Sequence, residues 1–155
     1  MDMEAFAARV EAIRPRLYRT ALCYFGDATA AADVLDEAVY RGLCASGRLQ
    51  KPEFFETWMT RILLNECHRE QKRRSRSLPL EELPEEAAET LDHLPLKEAL
   101  RRLPQELKDV VILRYFAGYT LSETAQALGL PQGTVVTRQR RALKLLRLEL
   151  EEAEV

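Results

Sequence analysis

Arg138, Arg140, Arg141, Lys144 and Arg147 crowd the end of the stretch LSETAQALGLPQGTVVTRQRRALKLLR, Leu121 to Arg147, in which Glu123 is the one acid. Guanidinium and ammonium groups at this density suit one kind of chemistry. They neutralise phosphates, and an arginine can also bond two acceptors on a guanine edge. On a helical wheel Val135, Gln139, Ala142 and Leu146 share one face, while Gly133, Thr137, Arg140, Arg141 and Lys144 lie opposite, so a core side and a polar side separate. Thr137 is short enough to let such a helix approach a major groove. The competing reading of any basic run is a solvated face, and it must be weighed against what positions the run.

Thr120 with Glu123 three residues on is a capping-box pattern, in which hydroxyl and carboxylate each satisfy an orphan backbone group at a helix start. It predicts a helix over Leu121–Leu128. Gly129 then supplies the positive φ of a tight turn, Leu130 plugs the angle between two helices, and Pro131 helps start the next. The spacing is that of a helix-turn-helix. Upstream, Pro95 and Pro104 each stand where a helix can begin, and Leu107, Val110, Val111 and Leu113 supply a dense apolar core.

The chain has 155 residues, 46% hydrophobic and 31% charged, and its net charge of -2 conceals segregation along the sequence. Arg69 to Arg76 holds five bases and one acid; Glu81 to Asp92 holds six acids and no base. The acidic connector carries Pro79, Pro84 and Pro95 and no sustained apolar stripe, so it reads as an exposed linker. It divides the chain into a domain at 1–75, a linker at 76–94 and a domain at 95–155. In the first domain Phe6, Val10 and Ile13, then Leu17, Ala21 and Tyr24, recur at helical spacing up to Gly26. A second helix runs from Ala28 to about Cys44, and a third carries Phe54, Phe55, Trp58, Met59, Ile62 and Leu63 into the basic block. Nothing reads as a strand. The expected fold is all-α: two small helical domains joined by an acidic linker.

Several function classes are excluded by what the chain does not contain. Charges interrupt every apolar run, so neither a membrane span nor a signal peptide is read, and no membrane insertion is expected. Cys23, Cys44 and Cys67 fit neither a disulfide framework nor a zinc pattern, which suits a reducing cytoplasm. Cys67 and His68, adjacent on a helix, diverge too far to share an ion, and read as a buried thiol beside a surface imidazole. No nucleophile, base and orienter form a set, and no phosphate-binding glycine loop occurs. An enzyme is therefore not read, and no cofactor or metal is expected.

The segment LRRLPQELKDVVILRYFAGYTLSETAQALGLPQGTVVTRQRRALKLLR resembles region 4 of bacterial sigma factors. The first half agrees independently. DVLDEAVYRGL is similar to the region 2 helix that docks on core RNA polymerase, and FFETWMTRILLNECHREQKRR to the promoter-melting segment. Regions 2 and 4 without a region 3 domain are the layout of the extracytoplasmic-function (ECF) group. The resemblance implies a sigma factor that binds core RNA polymerase and recognises the -10 and -35 elements of promoter DNA. The nucleotide chemistry would then belong to the polymerase.

Residue by residue, the resemblance implies polymerase contacts at Asp33, Asp36 and Glu37, with Asp36 standing where glutamine is usual. The loop Arg48 to Glu53 takes the place where the family receives a flipped -10 base, with Leu49, Gln50 and Lys51 as its candidates. Arg61 and Asn65 match positions near the single strand, and Arg69, Lys72, Arg73 and Arg74 offer phosphate contacts. Arg61 equally suits an intradomain ion pair, and Trp58 with its neighbouring phenylalanines reads as core. For the -35 duplex the candidates are Thr134, Thr137, Arg138, Arg140, Arg141 and Lys144. Val136 and Leu143 depart from the family's basic positions, so the -35 sequence read is expected to differ. The acidic linker is expected to run through a basic channel of the polymerase.

Two other classes stay open on sequence alone. A stand-alone helix-turn-helix regulator would bind a palindrome as a dimer without polymerase. A protein-interaction adaptor would show no preference for any DNA sequence. The sequence also leaves open whether an anti-sigma factor holds the two domains together.

Overall fold

The computed structural model describes residues 1–77 and 94–153, with side chains described for 1–76 and 96–148. The described residues form seven α-helices and no strand. They are α1 (Met3–Phe25), α2 (Ala28–Ala45), α3 (Phe55–Ser77), α4 (Leu94–Arg102), α5 (Gln105–Val111), α6 (Leu121–Leu128) and α7 (Gln132–Ala153). Helix α3 runs to Ser77 and α4 begins at Leu94, so both ends of the expected linker are helical; its remainder, 78–93, lies outside the described residues.

Local chemistry sets the boundaries. The Asp2 carboxylate accepts from the Ala5 N–H at 2.8 Å, and Asp27 accepts from Thr29 at 3.0 Å, each supplying an oxygen to an orphan donor at a helix start. Between them Gly26, at φ 64°, closes α1 in the left-handed conformation that a residue with a Cβ rarely adopts. The expected capping box is formed: Thr120 Oγ1 accepts from the Glu123 N–H at 3.1 Å, and Glu123 Oε1 accepts from the Thr120 N–H at 2.9 Å. A π-helical turn at Ile112–Phe116 follows α5, closed by the Ala117 N–H on the Ile112 carbonyl at 2.9 Å. Arg114 fastens it by donating to the Tyr119 carbonyl at 2.7 Å and to Gln139 of α7 at 2.9 Å.

In the first half α1, α2 and α3 pack together around Phe6, Val10, Leu17, Val34, Leu35, Ala38, Met59 and Leu63. Helices α2 and α3 come close at Gly42, where a Cβ would stand 2.7 Å from Met59 Sδ. The second half has two small clusters of its own. Ala99, Leu100, Leu103, Leu107 and Val111 meet Ala142 and Leu146 of α7; Val110, Ala125 and Val135 meet under Leu130.

The halves do not stand apart. Ile112, Leu113, Ala117, Tyr119 and Ala127 of the second half belong to the same apolar cluster as Leu17, Ala21, Leu63, Leu64 and Cys67 of the first. Each half alone is near the size at which a core becomes marginal, so burying a joint face adds apolar area where it is scarce.

Candidate nucleic-acid interface

Helix α7 is oriented as its wheel predicts. Val135, Ala142 and Leu146 are buried, and Gln139 is held half-buried by Arg114. On the other side Thr137, Arg140, Arg141 and Lys144 are exposed. Gly129 takes φ 68°, and Leu130 packs into the angle between α6 and α7. Thr134 is half-buried. Arg138 is half-buried too and reaches Glu106 of α5 at 3.6 Å, so one of the expected duplex contacts is partly engaged within the protein.

On α2, Asp33, Asp36 and Glu37 all face solvent, and the i, i+4 spacing of Asp33 and Glu37 puts them on one face. Glu37 pairs with Arg41 at 3.0 Å. Arg41 also meets Glu66 of α3 at 2.8 Å, and Glu66 meets Arg69 at 2.8 Å. Glu66 is buried, so its carboxylate depends on both arginines, and it ties the acidic helix to the basic one.

The loop after α2 carries Leu49, Gln50 and Lys51. With Arg48, Phe54, Thr57, Trp58, Arg61 and Gln126 they line a groove of about 400 Å³. Gln50 and Lys51 are exposed, whereas Leu49 and Trp58 pack on the apolar cluster, so Leu49 is a wall of the groove rather than a projecting contact. Arg61 and Asn65 are exposed on α3. The Arg61 guanidinium rests on the helix-turn-helix glycine, where a Cβ at Gly129 would stand 3.0 Å from it.

Further along α3 the basic block is less free than its count of bases implies. Arg73 pairs with Glu70 at 2.5 Å, and Arg74 with Glu70 at 3.3 Å and Asp27 at 3.7 Å. Arg73 in the first place, and Arg74 after it, hold the Glu70 carboxyl below the usual carboxylate range. Lys72 is exposed beside them. Cys67 is fully buried, and burial pushes its thiol well up. His68 differs from the expected surface imidazole: it is half-buried, with Nε2 2.9 Å from Asp109 of the second half.

Asp109 is the functional candidate that pattern reading missed. It is buried at the junction, accepting from the Tyr24 hydroxyl of α1 and from Gln105 Nε2 at 2.9 Å as well as facing His68. Its signal was one carboxylate set into the apolar run Leu107 to Leu113. Among the described residues no group of three His, Cys, Asp or Glu side chains is placed to hold a metal ion, and no helix is long and apolar enough to cross a membrane.

The family models agree with this geometry. Sigma-70 region 2 matches residues 9–77, and sigma-70 region 4 matches residues 99–148. RNA polymerase sigma factor SigV of Bacillus subtilis is 33% identical over 144 residues, covering 86% of this chain and 83% of the relative. ECF RNA polymerase sigma factor SigL of Mycobacterium tuberculosis is 30% identical over 153 residues, covering 88% and 83%. Among solved structures, that of CnrH in complex with the cytosolic domain of CnrY superposes with a TM-score of 0.75 at 24% identity, covering 97% of this chain and 90% of that one. The sigma factor RpoE of Bartonella quintana, in complex with the anti-sigma factor NepR, gives 0.73 at 19% identity, covering 96% and 98%.

A helical protein with an exposed acidic helix face and a basic helix-turn-helix is the class defined so far. The chain belongs to the sigma-70 family of RNA polymerase sigma factors, in its ECF group. As a sigma factor it binds core RNA polymerase and directs promoter-specific initiation, and it is not itself an enzyme.

Proposed function

We propose that the work is divided between the halves as follows. Asp33, Asp36 and Glu37 dock on core polymerase. The groove at Gln50 and Lys51, with Arg61, Asn65, Arg69, Lys72, Arg73 and Arg74 beside it, takes the -10 strand. Thr137, Arg140, Arg141 and Lys144 read the -35 duplex, with Thr134 and Arg138 at the edge of that surface. The protein acts in the cytoplasm, where the polymerase is.

One observation carries this reading: Asp33, Asp36 and Glu37 on α2 and Arg140, Arg141 and Lys144 on α7 are exposed, while the same helices bury Val34, Leu35 and Ala38, and Val135, Ala142 and Leu146. Complementary charge steers association and penalises wrong partners, which suits an acidic face for a polymerase and a basic one for DNA. An anti-sigma partner is proposed by likeness to the two solved structures, each a complex of that kind or described with a partner's cytosolic domain.

Run-off transcription with purified core polymerase and a promoter library tests the division. Specific transcripts whose start sites share -10 and -35 sequences are expected. Polymerase-independent binding to a palindrome would support the dimeric-regulator reading instead.

A further inference from the structure

We propose that Arg114 is a positioning residue of the helix-turn-helix: through Gln139 it fixes the rotation of α7 about its own axis, and so sets how sharply the protein discriminates between duplex sequences rather than how tightly it holds DNA. The inference rests on the reading of α7 as the partner of the -35 duplex.

Apolar packing alone leaves the roll of α7 weakly determined. Its inward stripe is Val135, Gln139, Ala142 and Leu146, in which Gln139 interrupts the apolar side chains near the middle. Val135 shares one small cluster with Val110 and Ala125, while Ala142 and Leu146 share another with Leu103 and Leu107. Burial of this kind is non-directional, so it holds the helix down without fixing its angle. A hydrogen bond does fix an angle, because it weakens steeply when donor and acceptor fall out of line. Gln139 Oε1 accepts such a bond from Arg114 Nε at 2.9 Å, and both residues are half-buried, where water competes less for either partner. A guanidinium nitrogen can only donate, so the amide must turn its oxygen to Arg114 and its orientation is set as well.

Arg114 is itself held in place. Its Nη1 donates at 2.7 Å to the carbonyl of Tyr119, the residue before the Thr120 cap of α6. The π-turn that carries it is closed by the Ala117 N–H on the Ile112 carbonyl at 2.9 Å, and the Tyr119 N–H bonds the Leu113 carbonyl at 2.8 Å. A single guanidinium therefore bridges the π-turn, the start of α6 and the middle of α7. The Gly129 turn joins α6 to α7 at one end only, and Gln139 lies about two turns further along, where a roll is resisted best. A helix with its side chains is about 10–12 Å across, so a roll of about 20° carries a side-chain tip through roughly 2 Å. That displacement breaks paired hydrogen bonds to a base edge, which Arg140 or Arg141 would make, whereas attraction to a phosphate needs only a charge nearby. Loss of the bridge is therefore a loss of discrimination first.

The test titrates the full-length protein with two duplexes, the -35 sequence selected from the promoter library and a random sequence, at several salt concentrations. Gln139→Met removes the acceptor and keeps the length, Gln139→Glu keeps an acceptor for the same Nε, and Arg114→Met removes the donor. In the two methionine variants the preference for the selected duplex falls about tenfold, the scale of one doubly bonded base contact. Random-duplex affinity and its salt dependence stay at the parent level, since Arg140, Arg141 and Lys144 remain exposed. Gln139→Glu keeps the parent's preference, whatever its added charge takes from affinity on both duplexes. A parent-like preference in Gln139→Met would overturn the proposal. So would a salt dependence shallower by about one ion in Arg114→Met, which would make Arg114 a phosphate contact. If Arg114→Met loses helical content by circular dichroism, the Gln139 variants decide alone. Spin labels at Ser122→Cys and Leu143→Cys, both exposed positions, in a Cys44→Ser background read the roll without DNA. Their distance distribution broadens or shifts in Gln139→Met, and an unchanged distribution also overturns the proposal. A parent that prefers no duplex sequence sinks the -35 reading and leaves the spin-label distance to judge the positioning by itself.

Discussion

Thr60 and Tyr119, 59 residues apart in sequence, place their hydroxyl oxygens 2.7 Å from each other inside the joint between the two halves. Both residues are almost fully buried, and burial pushes the Tyr119 hydroxyl up to about 12, so it stays neutral at any working pH and either hydroxyl can donate to the other. Thr60→Val keeps the shape and deletes the partner. A loss of about 1–2 kcal/mol is expected, the scale for a buried hydroxyl left short of a bond. Tyr119→Phe should cost a similar amount, and the double variant less than the sum, with a coupling of about 0.5–1 kcal/mol. Urea unfolding of the four proteins measures this, and strict additivity would mean that the two hydroxyls do not interact.

Charge reversal on α2 tests the docking face. Asp33→Lys with Glu37→Lys should weaken core polymerase binding by tenfold or more while leaving the thermal midpoint nearly unchanged, because the Glu37–Arg41 pair that is lost is surface-exposed and such pairs contribute at most about 1 kcal/mol. Equal holoenzyme affinity for variant and parent, measured by fluorescence anisotropy, would remove these acids from the contact.

Replacement of Leu49, Gln50 and Lys51 by Gly-Ser-Gly should impair promoter opening more than duplex binding. In the proposed division of work a flipped base would lose its groove, while α7 is untouched. Some stability is lost as well, since Leu49 packs on the core. Permanganate reactivity of thymines near the start site is the measurement. Unchanged reactivity would count against a melting role for the loop.

Arg140→Ala with Arg141→Ala should keep the fold, because both side chains are exposed and alanine is the best helix former. Duplex binding should fall. Two phosphate contacts would lower affinity on all sequences and make its salt dependence shallower by about two ions; a guanine contact would also relax specificity at one base by about 1–3 kcal/mol. Titration of matched and mismatched duplexes selected from the promoter library, at several salt concentrations, separates the cases. Parent-like binding throughout would leave this face merely solvated.

The three cysteines should differ sharply toward a thiol reagent. Cys44 is exposed, Cys67 is buried with its thiol pushed well up by burial, and burial pushes Cys23 to about 12. The thiolate is the reactive form, so at pH 8 one fast modification, at Cys44, is expected in the native protein and three after denaturation. Rapid labelling of Cys67 without denaturant would show that the joint beside it opens readily.

What could be read from the sequence was local. The Thr120–Glu123 cap, the Gly129 turn and the inward stripe of Val135, Ala142 and Leu146 each follow from chemistry within a few residues, and the structure has them as expected. The joint was not legible. Ile112 and Leu113 are apolar in an apolar run, and periodicity cannot tell whether such residues face their own half or the other. Counting bases also overstated the free charge of α3. Glu66 with Arg69, and Glu70 with Arg73 and Arg74, stand at i+3 and i+4, the spacings at which helical side chains meet.

The shared apolar cluster carries one more implication, for the covalent connection itself. Since Leu17, Leu63 and Leu64 share one buried apolar cluster with Ile112, Leu113 and Ala127, it is this packing, more than the peptide link through residues 78–93, that brings the two pieces into register. The link acts as a tether that raises effective concentration, in the manner of a linker between two modules that already recognise each other. Residues 1–77 and 94–155, made as separate polypeptides, should therefore reassemble as a heterodimer, and a protease that nicks the link should leave a particle that elutes at the size of the intact protein.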